Sequence, residues 1–265
     1  MHKLVRKIRR AILMDEPGYY DMYLNKGERF FARLYLHHIR EVLAAHPELV
    51  EGERPRPLEL LDAGCQAGRL AIPLASDGHR VTGVDTSPIA LGKASRHARD
   101  SGVLLKWIRA DLRSWLPKQR PESFDAVLCA EVLYLRENWR ELLQGLIRLL
   151  KPGGLCFISH RPPSYYLAEA SQHQDQEAIR ALLSGAGEGK VLRSYYNWQE
   201  RDELKRIYEE SGVQVLRIVP IGVSSAMNNP EKITGAQRDL LFQEEISARN
   251  GRGDGRYLLV CGRKR

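Results

Sequence analysis

The chain has 265 residues, of which 43% are hydrophobic and 28% are charged, a composition that excludes disordered and fibrous classes. Lysine and arginine number 41 against 33 acidic residues, but nine of the 41 fall in residues 1–10 and 256–265, so the rest is nearly neutral. A protein that holds nucleic acid needs basic residues along a groove, so we expect nucleic acid to be a less favoured partner. No apolar run approaches the roughly 18 residues of a membrane span.

The two chain ends concentrate the positive charge. Residues 1–10 hold five lysine or arginine residues and residues 256–265 hold four, with no acidic residue in either segment. Solvated ends that keep the protein in solution are the simpler interpretation. In the alternative, the first segment is a basic amphipathic helix that contacts an acidic surface, since Leu4, Ile8 and Ile12 recur at helical spacing.

Cysteine usage predicts the compartment. None of the four cysteines, Cys65, Cys129, Cys156 and Cys261, has the spacing of a Cys-x-x-Cys motif or a Cys/His metal site. We therefore expect buried free thiols, no metal ion and a cytoplasmic location. The apolar stretch 11–14 is too short for a secretory leader, which agrees with that location.

Taken in chain order, the predicted elements divide the chain at about residue 50. Residues 1–50 are predicted to form a helical lid in two pieces separated by Pro17-Gly18, and 50–57 is a connector. From 51 to 265, strand patterns alternate with helix patterns at 68–77, 88–101, near 114, 137–150, 199–212 and 235–248. The predicted strands are 58–64, 79–85, 104–111, 124–131, 155–160, 213–223 and 255–264.

This alternation predicts an α/β fold. Right-handed crossovers give a Rossmann-like, doubly wound, seven-stranded and mostly parallel sheet with helices on both faces. Nearly continuous apolar strands agree with burial on both faces. Residues 161–198, rich in proline and aromatic residues, interrupt the alternation and form an insert between strands 5 and 6.

The first predicted strand runs into the segment DAGCQAG, residues 62–68. A GxGxxG dinucleotide turn that starts at Gly64 would need glycine where Gln66 and Arg69 stand, so a nicotinamide or flavin enzyme is not favoured. The segment resembles instead the first motif of the class I S-adenosylmethionine-dependent methyltransferases, with Gln66 in place of the middle glycine. Gly64 permits a tight turn and close approach of the backbone to a ligand.

Two further acids follow the next two strands. Asp85 is placed, 21 residues beyond Gly64, to accept hydrogen bonds from ribose hydroxyls. The resemblance, which continues through the fourth and fifth strand motifs to residue 160, implies that Asp111 accepts from the adenine amine beside Leu112. It also implies S-adenosyl-L-methionine as cofactor and S-adenosyl-L-homocysteine as product. The residues expected to bind the cofactor are Tyr19, Asp62, Ala63, Gly64, Cys65, Gln66, Gly68, Asp85, Thr86, Asp111, Leu112 and Ala130.

Candidate catalytic residues follow the fourth and fifth strands. Glu131 could face the methyl group or cap the following helix, and a backbone and positioning role is favoured. His160 is the best remaining base, because Leu135 stands where related motifs carry a histidine, and Arg161 beside it suits an acidic substrate. An ordinary histidine at a strand end is the alternative for His160. The expected acceptor-binding residues are Tyr20, Arg161, Tyr165, Tyr166 and Trp198, with packing of the insert as the alternative for its aromatic residues.

The favoured function is methyl transfer to a small-molecule acceptor, at oxygen before nitrogen or carbon. The neutral body and the aromatic insert support it. Residues 17–25 also resemble the lid of quinone- and small-molecule-type members. RNA or protein methylation with the basic ends as docking arms is the second hypothesis. A cofactor-binding regulator without catalysis is the third, and it rests on Gln66 and Leu135. The oligomeric state is left open.

Overall fold

The computed structural model describes residues 21–46, 57–223, 235–247 and 254–265. Three predicted features lie outside the described residues: the basic N-terminal helix, the first piece of the lid with Tyr19 and Tyr20, and most of the connector. Among the helices of the described ranges, none combines the length and apolar character that a membrane crossing requires.

A seven-stranded sheet and a separate two-stranded hairpin are found in the described residues. The strands are β1 (Glu59–Ala63), β2 (Arg80–Asp85), β3 (Lys106–Arg109), β4 (Phe124–Cys129), β5 (Leu150–His160), β6 (Glu188–Val191), β7 (Ser194–Asn197), β8 (Val213–Ile221) and β9 (Tyr257–Lys264). The sheet order is β3-β2-β1-β4-β5-β9-β8, and β6 pairs with β7. Strands β1 to β5 are parallel, whereas β9 pairs antiparallel with both β5 and β8.

Helices connect these strands. In the described residues they are α1 (Lys26–Ala44), α2 (Ala71–Ser76), α3 (Pro88–Asp100), α4 (Leu112–Trp115), α5 (Trp139–Leu149), α6 (Pro163–Gln172), α7 (Gln176–Leu183), α8 (Arg201–Glu210) and α9 (Gly235–Ser247). The predicted fold class is confirmed: the sheet is seven-stranded, mostly parallel and covered by helices on both faces. Helix α2 begins three residues later than predicted because Gly68 lies in the left-handed region, with φ of +82°, which ends the helical pattern on that side.

Alternate residues of the central strands pack against opposite layers of helices. Leu60 and Phe157 join a core cluster with α1, whereas Leu61 and Ile158 join a second cluster with α5 and α8. This is the two-residue period of a strand that is buried on both faces. The strand order reverses between β1 and β4, so the carboxyl ends of these two strands flank the crevice where open α/β sheets bind ligands.

Helix α1 packs in the same core cluster as one face of the sheet. It begins after Asn25, whose side chain accepts hydrogen bonds from the backbone amides of Gly27 and Glu28. Its fully buried residues Phe30 and Tyr35 belong to that cluster. The start of α1 is thereby held near the glycine-containing turn, which brings a glutamate from outside the sheet into the site described below.

The insert between β5 and α8 has a core of its own. Helices α6 and α7 and the β6–β7 hairpin bury a small cluster around Tyr166 and Trp198. The predicted interruption at 161–198 is therefore a small folded layer at the end of β5 and not an extended loop.

Candidate active site at the carboxyl ends of the strands

The turn after β1 is built on two left-handed glycines. Gly64 has φ of +87° and Gly68 has φ of +82°. The amides of Gly64 and Cys65 donate to the carbonyl of Val84, at 2.8 and 3.2 Å, so the turn is tied to β2. A Cβ at Gly64 would collide with the Cγ2 atom of Val132, which follows β4. Only glycine fits this close approach between two strand ends.

Gln66 also lies in the left-handed region, with φ of +49°. This conformation costs a residue other than glycine about 1–2 kcal/mol. Its backbone amide donates to Oδ2 of Asp85 at 3.0 Å, which holds the turn against the end of β2. The departure from the family motif therefore keeps the backbone shape that a glycine would adopt.

Asp62 is a buried acid with an unused oxygen. Its side chain is 2% exposed and Oδ2 has no hydrogen-bond partner. Burial raises the pKa of Asp62 to about 7, and nearby Asp85 adds to the increase while Arg69 opposes it. A buried acceptor without a donor is costly, and a cationic ligand group such as an ammonium would supply the missing donor.

The carboxylate of Asp85 organises the backbone around it. Besides the Gln66 amide, it accepts from the amide of Ser87 at 2.8 Å through Oδ1. Ser87 caps α3 by accepting from Ala90, and Thr86 between them is exposed. Each carboxylate oxygen has a second lone pair, so Asp85 retains acceptor capacity for a ligand hydroxyl.

Asp111 and Leu112 lie at the end of β3. Asp111 caps α4 through the amide of Arg113 at 2.8 Å and lies 3.5 Å from Arg136. Its side chain is 45% exposed, whereas Leu112 is buried. An acid with one oxygen near solvent beside an apolar residue suits the edge and face of a flat heterocycle.

Three small predicted residues lie in the walls around the turn. Ala63, Cys65 and Ala130 are all buried, and burial raises the pKa of the Cys65 thiol well above its ordinary value. Cys65 is therefore a neutral packing residue at physiological pH and not a nucleophile.

A buried ion cluster lies beside the turn, and sequence reasoning missed it. Arg69 is 5% exposed and forms ion pairs with Glu28 at 3.2 Å and Glu131 at 2.8 Å. The hydroxyl of Tyr257 donates to the other oxygen of Glu131 at 2.6 Å. The cluster thus joins α1, the turn, the end of β4 and the start of β9. A charged residue inside the otherwise apolar segment 67–75 is the one sequence signal that was available.

Glu131 is held in a strained and fully paired state. Its φ is +63°, and its backbone amide donates to the Ser159 hydroxyl at 2.7 Å. Burial works to raise the pKa of Glu131, but Arg69 and then the Tyr257 hydroxyl outweigh burial and lower the pKa below its ordinary value. A carboxylate that holds its proton so weakly is suited to electrostatic positioning and poorly suited to proton abstraction.

The structure does not support His160 as a general base. Its side chain is fully buried, Nδ1 lies 3.1 Å from Oε1 of Gln199, and Nε2 lies 2.8 Å from the hydroxyl of Tyr208. Burial lowers the pKa of His160 to about 4, while Gln199 partly opposes this. Both ring nitrogens are occupied on the face that packs against α5 and α8, so neither reaches the crevice.

Arg161, the next residue, faces the other side, where tyrosines surround it. Its guanidinium carbon lies 3.9 Å from the ring centre of Tyr165, 4.5 Å from Tyr257 and 4.6 Å from Tyr134. Its Nη2 donates to the Tyr257 hydroxyl at 2.9 Å. Arg161 is thereby one hydroxyl away from Glu131, which brings these two predicted site residues into one network.

Two other predicted acceptor residues have packing roles instead. Tyr166 and Trp198 are 3% and 2% exposed and form the core of the insert, which corrects their prediction as walls of an open pocket. The aromatic residues pack there because the insert needs its own apolar core to remain folded against the sheet end. Tyr165 is only partly buried and lies nearer to the Arg161 guanidinium than Tyr166 does, at 3.9 Å against 5.7 Å from ring centre to guanidinium carbon.

One set of possible metal ligands lies away from this site, on α1. Donor atoms of His37, His38 and Glu41 all lie within 4.8 Å of one another, a proximity that the sequence analysis did not predict. Arg217 already pairs with the Glu41 carboxylate at 3.2 Å. A guanidinium beside the carboxylate offsets the negative charge that a metal ion would need.

Comparison with known proteins identifies the central part of the chain. Residues 60–154 match a protein family described as a methyltransferase domain. A ubiquinone biosynthesis O-methyltransferase of Methylocella silvestris is 38% identical over 130 residues, which cover 46% of this chain and 50% of that protein. The matched segments span only 34% to 50% of such curated relatives.

Solved structures extend the similarity to nearly the whole fold. A magnesium protoporphyrin IX methyltransferase from Synechocystis, crystallised with S-adenosylhomocysteine, aligns with a TM-score of 0.58 at 17% identity, over 90% of this chain and 84% of that one. The [4+2]-cyclase SpnF aligns with a TM-score of 0.51 at 15% identity, over 84% and 80%. A shared fold at this identity therefore carries more than one chemistry.

Proposed function

Since residues 60–154 belong to the class I S-adenosylmethionine-dependent methyltransferase family, we propose that this protein transfers a methyl group from S-adenosyl-L-methionine to an oxygen of a small molecule. The cofactor supplies an activated methyl on a sulfonium, so the protein's contribution is binding, orientation and exclusion of water. The names of the curated relatives favour a phenolic oxygen of a quinone-type precursor as the acceptor.

The observation that carries the proposal is the orphaned oxygen of Asp62 beside the left-handed turn at Gly64. An amino-acid ammonium is the chemical group that this buried carboxylate lacks, and the glycine leaves room for the backbone to approach it. Asp85 and Asp111 continue the row of acceptors along neighbouring strand ends, suited to a ribose and an adenine amine.

On the acceptor side, we assign the described residues to orientation of the acceptor and not to proton abstraction. We assign Glu131 to electrostatic positioning, because Arg69 and Tyr257 hold its carboxylate in place. His160 supports the strand end through Gln199 and Tyr208. An acceptor whose hydroxyl ionises readily, such as a phenol ortho to another oxygen, would need no base from these residues.

The alternative of RNA methylation draws on the basic chain ends. Three of the four basic residues of 256–265 have roles inside the fold: Arg256 packs over Phe31, Arg263 donates to Gly153, and Lys264 donates to Leu150. A strand whose basic side chains mostly contact the fold is a poor docking arm for RNA. This alternative therefore depends mainly on residues 1–10.

Two broader features of the protein complete the proposal. The four cysteines are buried and free, which supports a cytoplasmic location. We keep the division into a lid over residues 1–50 and a catalytic domain over 51–265, with 161–198 on the acceptor side.

The test is binding followed by turnover on the full chain. Calorimetry with S-adenosyl-L-homocysteine should show binding, and Asp85→Ala should weaken it by about 1–3 kcal/mol because charge-assisted hydrogen bonds are lost. Asp77→Ala, at a surface acid paired with Arg40, is the matched control and should leave affinity unchanged. S-adenosylhomocysteine should then accumulate when S-adenosylmethionine and catechols are supplied. Tight binding without turnover on any acceptor would favour the regulator hypothesis instead.

A further inference from the structure

Two arginines at the acceptor side have guanidinium nitrogens without acceptors. The Nε atoms of Arg161 and Arg256 are buried and have no hydrogen-bond partner. Arg161 as a whole is 7% exposed, and Arg256 is partly buried. Within the described residues, no carboxylate forms an ion pair with either of them. An unpaired N–H that is removed from water is costly, and two of them in one place call for an explanation.

Both arginines border the same aromatic residue. The guanidinium carbon of Arg161 lies 3.9 Å from the ring centre of Tyr165, and that of Arg256 lies 5.7 Å from it. Cation–π contacts offset part of the cost of burying a guanidinium, but they leave its N–H groups unsatisfied. Tyr165 and Arg256 are both partly exposed, so the side of this group formed by these two residues meets solvent.

The charges of the surrounding cluster do not balance. Arg69, Arg161 and Arg256 supply three guanidinium groups, whereas Glu28 and Glu131 supply two carboxylates. Both carboxylates are already bound to Arg69. Arg161 reaches Glu131 only through the Tyr257 hydroxyl. Among these five described residues, one positive charge is left over in a mostly buried region, where an anion would be strongly attracted.

The position of this excess charge suits the acceptor. Arg161 follows β5, and β4 separates β5 from β1 and its glycine turn. Two strand spacings amount to about 10 Å. An acceptor held beside the turn would therefore have Arg161 within reach of the part of the molecule that does not react.

We propose that Arg161 and Arg256 bind a carboxylate of the acceptor, so that the substrate class is an aromatic acid with a phenolic hydroxyl. This inference rests on the proposed methyl transfer for the identity of the hydroxyl, but the anion site itself is tested by binding alone. The carboxylate accepts from the two free Nε–H groups, and its charge balances the cluster.

The test compares carboxylates with neutral partners of the same shape. The full chain, saturated with S-adenosyl-L-homocysteine, is titrated calorimetrically with benzoate, phenylacetate and 3,4-dihydroxybenzoate and with their amides. At least one acid should bind about tenfold or more tightly than its amide. Arg256→Gln should abolish that preference while binding of the amide changes little. Arg140→Gln is the matched control, since Arg140 also lies over an aromatic ring, Trp139 at 4.4 Å, but is exposed and remote from the cluster.

The outcomes separate the two proposals. No preference for the acid in any of the three pairs, or a preference that survives Arg256→Gln, overturns the anion site. Arg161→Gln is a second probe, but Arg256→Gln decides the question if loss of the buried Arg161 prevents folding. Methylation of neutral catechols without any acid preference retains methyl transfer and rejects the anion site. An acid preference with no S-adenosylhomocysteine formed from any acceptor retains the anion site and rejects methyl transfer.

Discussion

The sheet edge has two halves that are built in different ways. At the ends of β1 to β3, the acids lie beside turns and helix starts. Asp85 accepts from the amides of Ser87 and Gln66, and Asp111 accepts from that of Arg113. At the ends of β4 and β5 and the start of β9, the contacts join residues far apart in the chain. Arg69 reaches Glu28 over 41 residues, and Tyr257 reaches Glu131 over 126. The first half is a set of local turns and caps, and the second is a tertiary ion network.

The difference separates ligand binding from stability. The local half keeps acceptor capacity in reserve, most clearly at Asp62, so its polar groups are available to a ligand. In the tertiary half, Arg69 pairs with both Glu28 and Glu131, so its loss should affect the free energy of unfolding before it affects ligand binding. The predictions that follow test this division.

The largest effect is expected at Arg69. Arg69→Met leaves Glu28 and Glu131 buried without a cation, which should lower the free energy of unfolding by about 3–5 kcal/mol. Urea unfolding of both proteins measures the change. Arg80→Met is the control, because Arg80 is 71% exposed and its ion pair with Glu59 should contribute about 1 kcal/mol or less. Equal losses for the two variants would remove the distinction between the halves.

A pH-dependent effect is expected at Asp62. Its pKa in the folded state is about 7, against an ordinary value near 4, so the folded protein binds the proton more tightly than the unfolded chain. Stability from this group is present below about pH 4 and is lost as the pH rises through 7, by about 3 kcal/mol between pH 5 and pH 8. Asp62→Asn should flatten the curve of unfolding free energy against pH by that amount.

Asp100→Asn, at an exposed acid, is the control for Asp62 and should leave the pH curve unchanged. Bound S-adenosyl-L-homocysteine should also distinguish the stability of the wild-type protein from that of Asp62→Asn. If an ammonium group of the cofactor donates to Asp62, S-adenosyl-L-homocysteine should stabilise the wild-type protein more than Asp62→Asn. Identical stabilisation of both proteins would show that Asp62 does not interact with the cofactor.

The close packing at the turn should make alanine more costly at Gly64 than at Gly78, in free energy of unfolding. Gly78→Ala meets open space at φ of +94°, so it should cost only the backbone strain, about 1–2 kcal/mol. Gly64→Ala adds the collision with Val132 and should cost about 2–3 kcal/mol in unfolding free energy. Combining Gly64→Ala with Val132→Ala should cost less than the sum of the two single changes. If the two changes were simply additive, the contact with Val132 would not be the cause of the lost stability.

The smallest effect is expected at Gln66. Gln66→Gly relieves the left-handed strain and should raise unfolding free energy by up to about 1 kcal/mol. Gln119→Gly, at an ordinary φ of −88°, should lower it by a similar amount. Because the contact to Asp85 uses the backbone amide, cofactor affinity should be unchanged in Gln66→Gly. A large loss of affinity would assign the Gln66 side chain to the ligand.

The sequence by itself determined the elements and the half of the site at β1 to β3. Apolar runs and their helical or alternating periods are local, and so are caps such as Ser87 before Pro88. Parallel strand order then carried Asp62, Asp85 and Asp111 to one edge, because successive strands of such a sheet end on the same side.

Only the tertiary structure decided the other half of the site. Strand β5 is buried on both faces, so the apolar segment 155–160 contains no alternation to show that His160 faces α5 and α8 while Arg161 faces the tyrosines. The pairing of Arg69 with Glu28, and of Tyr257 with Glu131, depends on how α1 and β9 pack against the sheet. Spacing along the chain carries no information about such contacts, because they form only after the strand order is fixed.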